Sequence, residues 1–137
     1  MTFDASGLIG PQPQHSEILW RSLQTNGFAL DLSATGTGKT YCAASVAKND
    51  GSPLVLICPK SVLKTWTSIL ATYGVKPKVA INYELLARGN TKWMKFVKQP
   101  DPCRPHVPGA TEKLPHFRLP QGCLVILDEG HRCKGLD

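Results

Sequence analysis

Long hydrophobic runs are missing from this chain. The longest, "PLVLIC" and "CLVIL", are six and five residues, far below the ~20 that a membrane-spanning helix needs, so no membrane partner is expected. A leader in which charge precedes an apolar core is also missing, and secretion is not indicated. Five cysteines, an odd number at scattered spacings, do not suggest a disulfide framework. A reducing compartment, cytoplasmic or nuclear, follows. There are no internal repeats or low-complexity tracts. The chain does have 137 residues, enough for one domain with an ordinary core. Its hydrophobic fraction of 42% is that of a globular protein. The net charge of +6 fits a polyanionic partner, though the basic residues are spread along the sequence.

Residues 1 to 13, with Gly7, Gly10, Pro11 and Pro13, read as an entry loop. In "QHSEILWRSLQTNG", Ile18, Leu19 and Leu23 stand at helical spacing with Trp20 on a flank, and Gly27 is the stop. "FALDLS" (28 to 33) is an apolar strand, and "TYCAASVAKN" a small-residue helix ended by Asn49, Asp50 and Gly51. "PLVLICP" predicts a strand covered on both faces. The helix after it has Ser61 as its N-cap and an apolar stripe of Val62, Trp66, Ile69, Leu70 and Tyr73. "KVAIN" is a further strand, "YELLARG" a turn or short helix, and 92 to 97 another. Residues 98 to 120 hold six of the eleven prolines and little periodicity, and read as an irregular surface insertion within the domain. "GCLVILDEGH" closes the pattern with a strand ending in acids. Strands that alternate with helices and are buried on both faces predict an α/β fold with a parallel sheet.

"SATGTGKT" (33 to 40) is the stretch with most chemistry in it. A strand entering a glycine-rich loop and then a helix aims backbone N–H groups and a helix N-terminus at one point, an anion site. Gly36 and Gly38 let the backbone of Thr35 to Gly38 approach phosphate oxygens, and Lys39 adds a positive charge. Thr40 offers a hydroxyl where a magnesium ion carried by the phosphates would sit. The pattern is G-x-x-x-x-G-K-[ST], with Ser33 in place of the first glycine. Phosphoryl transfer needs the metal held from a second side and water activated. Asp128 and Glu129, at the carboxyl end of a buried strand, are the candidates: Asp128 for magnesium, Glu129 as general base.

"SATGTGKT" followed by "DEGH" resembles motifs I and II of the superfamily 2 helicases and translocases. "PLVLICPKSVLKTW" is similar to their motif Ia in the Swi/Snf-type remodelling ATPases, and "INYELL" and "DEGHRCKG" resemble other parts of that branch. The resemblance spans nearly the whole of residues 1 to 137 and implies the first RecA-like, ATP-binding lobe of a nucleic-acid-dependent ATPase. It implies ATP and Mg2+ as ligands, with Lys39 and Thr40 on the phosphates and metal, Asp128 on the metal and Glu129 on the attacking water. It also implies that His131 couples the nucleotide to the lobe interface and that Gln14, in preference to Gln12, reads adenine. Lys60, Ser61 and the following helix, with Asn82 and Tyr83, would face a DNA or RNA backbone. The single strand between motifs Ia and II is similar to the compact form of viral or phage helicases. Members of the family continue into motif III and a second RecA-like lobe with an arginine finger. On that pattern the sequence reads as a lobe truncated after motif II, expected to bind nucleotide without turnover of its own. The rival readings are a nucleotide-binding fragment or degenerate interaction module, and, more distantly, a small P-loop phosphotransferase.

Other residues have plainer readings. Cys103, His106, His116, Cys123, His131 and Cys133 do not match the paired spacings of structural zinc sites. Cys42 and Cys58 read as core, and Trp66 and Tyr73 as packing. Trp93 among Lys92, Lys95 and Lys98 is a surface of the kind single strands bind, although a solvated charged face is preferred.

Overall fold

The run at 54–58 offers no polar side chain to turn toward water, and it becomes the middle strand of a sheet. The computed structural model describes residues 2–31, 38–88 and 90–128. Its elements in order are α1 (Gln12–Asn26), α2 (Lys39–Asp50), β1 (Leu54–Cys58), a 3₁₀ turn (Lys60–Val62), α3 (Leu63–Thr72), β2 (Val79–Asn82), α4 (Tyr83–Arg88), β3 (Asn90–Thr91), β4 (Met94–Pro100), β5 (Thr111–Phe117) and β6 (Leu124–Leu127). β2 and β6 flank β1, both parallel to it, with Ile57 opposite Ile81 on one side and Leu127 on the other. A second sheet, β3-β4-β5, is antiparallel. The architecture is α/β with a parallel sheet, compatible with a RecA-like lobe. Among the described residues no helix is long and apolar enough to cross a membrane.

Alternation along β1 sorts the core into two layers. Leu54, Leu56 and Cys58 pack against Ala44 and Ala47 of α2 and Trp66 and Leu70 of α3. Val55 and Ile57 meet Val79, Ile81, Tyr83, Leu86 and Met94 on the opposite face. Alanines on α2 let its backbone come close to the sheet, which fits the density that interiors require. A third cluster joins α1 to α2 through Trp20 and Val46, with Phe3 lying 5.6 Å from Trp20 between ring centroids. The helix stops are as expected. Gly27 and Gly51 take left-handed conformations and their N–H groups donate to the carbonyls of Leu23 and Ala47.

Several expectations are corrected. On α1 the buried positions are Ser16 and Trp20, one turn apart, while Ile18 is exposed. The indole fills the space against Phe3 and Val46 with Leu19 and Leu23 partly buried beside it, and of the expected stripe only Ile18 is left outside. Residues 28–31 do not form a strand, and Phe28 and Leu30 are exposed, 70% and 72%. No strand pairs with them among the described residues; 32 and 33 lie outside that set. Ser61 sits inside the 3₁₀ turn and does not cap α3. The segments 92–97 and 98–120 are largely an antiparallel hairpin, β4 and β5 in register from Met94 opposite Phe117 to Pro100 opposite Thr111. Its period was hidden because polar residues occupy both faces. Three of its prolines (102, 105, 108) collect in the connection, and Pro115 lies on the edge strand, where a missing N–H costs least.

Candidate functional site

Gly38 takes φ 78° and ψ 35° as the N-cap of α2, and Lys39 and Thr40 open the helix. Only glycine holds that left-handed conformation without strain. A Cβ at Gly38 would also run into the side-chain amide nitrogen of Gln12, the first residue of α1. Gln12 is itself oriented by the Ile9 N–H, which donates to its Oε1 at 3.1 Å. Gln14 is exposed to solvent. Three residues, 51 to 53, connect the C-terminus of α2 to the start of β1. The N-terminus of α2 therefore points toward the edge where the parallel strands end.

Asp128 stands at that edge, directly after β6. Its N–H donates to the Ile57 carbonyl at 2.9 Å, which extends the ladder by one residue. The Trp66 indole N–H donates to Asp128 Oδ2 at 2.8 Å, and the Tyr83 hydroxyl donates to the Asp128 carbonyl at 2.7 Å. The residue is thus held from β1, α3 and the start of α4 at once. Below it, the Cys58 thiol is pushed up to about 11, first by burial and then by the charges of Asp128 and Glu84. It stays a neutral core group.

The expected nucleic-acid face divides in two. Lys60 and Ser61 are exposed after β1, and so are Lys64 and Thr65 on the first turn of α3. Asn82 and Tyr83 are turned inward, which corrects that expectation. The Asn82 Oδ1 accepts the Leu85 N–H at 2.9 Å and caps α4, and Tyr83 is buried on Asp128. The bond from Trp66 to Asp128 went unread; buried indoles usually find a partner for their N–H, and that was the signal. Thr35, Gly36, Thr37, Glu129 and His131 lie outside the described residues. Among the described residues no three His, Cys, Asp or Glu side chains are grouped to hold a metal ion.

Comparison with known proteins finds no matching family model and no matching solved structure. The chain is 35% identical over 114 residues to the "Putative ATP-dependent RNA helicase L364" of Acanthamoeba polyphaga mimivirus. It is similar to a viral helicase. The match covers 77% of this chain and 20% of the relative, so the chain spans about a fifth of that protein's length. A helicase-related origin, with a viral link, is supported.

Proposed function

We propose that this chain is the ATP-binding lobe of a nucleic-acid-dependent ATPase of helicase or translocase type, from the DEGH-box branch and encoded by a virus. The observation that carries the reading is the shared edge described above. A left-handed Gly38 leads Lys39 and Thr40 into a helix N-terminus, and Asp128 directly follows a strand of the sheet on which that helix packs. The anion site binds the phosphates through backbone N–H groups and Lys39. Gln12, which touches Gly38, reads adenine better than the exposed Gln14.

Thr40 and Asp128 supply hard oxygen atoms, which suit magnesium. Magnesium in nucleotide sites takes one or two protein ligands, with phosphates and waters completing its shell. With Oδ2 already accepting from Trp66, the Asp128 carboxylate is pinned in one orientation. Bound magnesium would neutralise charge on the phosphates. Glu129 would take a proton from water as the water attacks the γ-phosphorus and the bond to ADP breaks. His131 would relay the nucleotide's state to a second lobe, and Lys60, Ser61 and α3 would meet the nucleic-acid backbone.

Calorimetric titration with ATP and ADP in the presence of magnesium tests this. Lys39→Ala is expected to weaken binding at least about tenfold, the loss of one charge-assisted contact. Equal affinity for the two proteins would remove Lys39 from its role.

A further inference from the structure

The β4–β5 ribbon is strongly charged, and the nucleotide site uses none of it. From Lys92 to Arg118 there are six Lys and Arg against two acids, Asp101 and Glu112, so these residues carry four of the chain's six net positive charges. Both acids are engaged within the hairpin. Asp101 pairs with Arg104 at 2.7 Å, and Glu112 accepts a hydrogen bond from Gln99 at 3.1 Å.

The register sets two lysines opposite each other, Lys98 and Lys113, and Lys95 faces His116. Directly opposed side chains lie about 5 Å apart, a spacing at which like charges destabilise a sheet. Lys98 and Lys113 are on one face of the ribbon, Lys95 and His116 on the other, because the side-chain period is two. All four are exposed, and none forms an ion pair among the described residues. Counter-charge from outside the chain would relieve this arrangement.

Three further observations narrow the kind of polyanion. The Lys92 ammonium lies 4.9 Å over the Trp93 ring, which is half-buried against the core beside Met94. That ring is a poor platform for stacking bases, the main device of single-strand binding. Pro115 in the middle of edge strand β5 withholds an N–H, so addition of a partner strand is disfavoured. Third, charge on both faces suits a ligand with two anionic walls. A two-stranded ribbon is about 10 Å thick with its side chains, and the major groove of B-form DNA is about 12 Å wide and admits one. The major groove of A-form RNA is too narrow.

We propose that the β4–β5 ribbon is a duplex-DNA-binding arm. It stands in the major groove with Lys98 and Lys113 toward one phosphate wall and Lys95 and His116 toward the other. The proposal does not depend on nucleotide binding, so either can fail alone.

The test is fluorescence anisotropy of the full chain with a labelled DNA duplex of mixed sequence, about 20 base pairs long, over a range of salt. The single strand and the RNA duplex of the same sequence serve as competitors. Tightest binding to duplex DNA is expected. Lys98→Gln with Lys113→Gln should weaken it about tenfold or more and lower the slope of log K against log salt by about 2, two phosphate contacts being lost. The double arginine variant should restore both. A circular dichroism spectrum and a thermal unfolding midpoint matching wild type would show that the glutamine variant is folded. No binding by wild type, an unchanged slope in the glutamine variant, or equal preference for the single strand or RNA duplex would each overturn the proposal.

Discussion

Trp66 shows how one side chain both packs and fixes a polar neighbour. Its ring is 3% exposed between α3 and the sheet, and its N–H holds the Asp128 carboxylate. Trp66→Phe keeps most of the apolar contact and leaves a half-buried charge short of one donor. A loss of about 1–2 kcal/mol in urea unfolding is expected, the range for hydrogen bonds to charged groups discounted for partial exposure. Trp66→Ala should cost about 3–5 kcal/mol, because a cavity is added. A phenylalanine variant as stable as wild type would show that the bond contributes nothing. The cysteines separate by the same reasoning. Cys58 is wholly buried with its thiol raised to about 11, whereas Cys103 is exposed. Thiolate is the reactive form. Iodoacetamide at pH 8, followed by mass spectrometry, should label Cys103 well before Cys58; comparable rates would mean that the core opens freely.

At the scale of elements, the N-terminal segment is tied to the end of α2 by a small polar cluster. The Asp4 N–H donates to Asn49 Oδ1 at 2.7 Å, Asn49 Nδ2 donates to the Asp4 carbonyl at 2.9 Å, and Lys48 pairs with the Asp4 carboxylate at 3.1 Å. These bonds position Phe3 on Trp20. The Ser6 hydroxyl and N–H, followed by Lys48, hold the Asp4 carboxyl down at about 2, below its usual 3.8. A depressed carboxylate stabilises the fold above its unfolded value and loses that contribution as pH falls toward the folded value. The advantage of wild type over Asp4→Asn should therefore be full above about pH 5 and fade between about pH 4 and 2. Thermal unfolding of both proteins across that range checks this; a constant difference down to pH 2 would refute it. The other element-scale lesson is the hairpin. β1 announces itself because a doubly buried strand must be apolar throughout, whereas β4 and β5 face solvent over much of their surface and need no such pattern.

For the molecule as a whole, the order β2-β1-β6 leaves β6 paired on one side only among the described residues. Val125 and Leu127 are 40% and 50% exposed there. An apolar strand edge of this kind is adhesive. The 137-residue chain is expected to self-associate as its concentration rises, and Val125→Lys to reduce that association in sedimentation velocity. A wild-type chain that stays monomeric at high concentration would overturn the expectation. The same order shows why the site could be read only in part from residues alone. The apolar runs at 54–58 and 124–127, the helix of small residues at 39–50 and its glycine stop were all legible, because burial and backbone geometry restrict which side chains can occupy them. Lys39, Thr40 and Asp128 could be singled out as candidates because few residue types bind phosphate or magnesium. Tertiary structure decided the neighbours: Gln12 against Gly38, Trp66 and Tyr83 on Asp128, Asn82 spent on a cap, Trp20 inward in place of Ile18. Those outcomes depend on contacts between positions as far as 62 residues apart. Local periodicity holds no record of which donor meets which acceptor across such a distance.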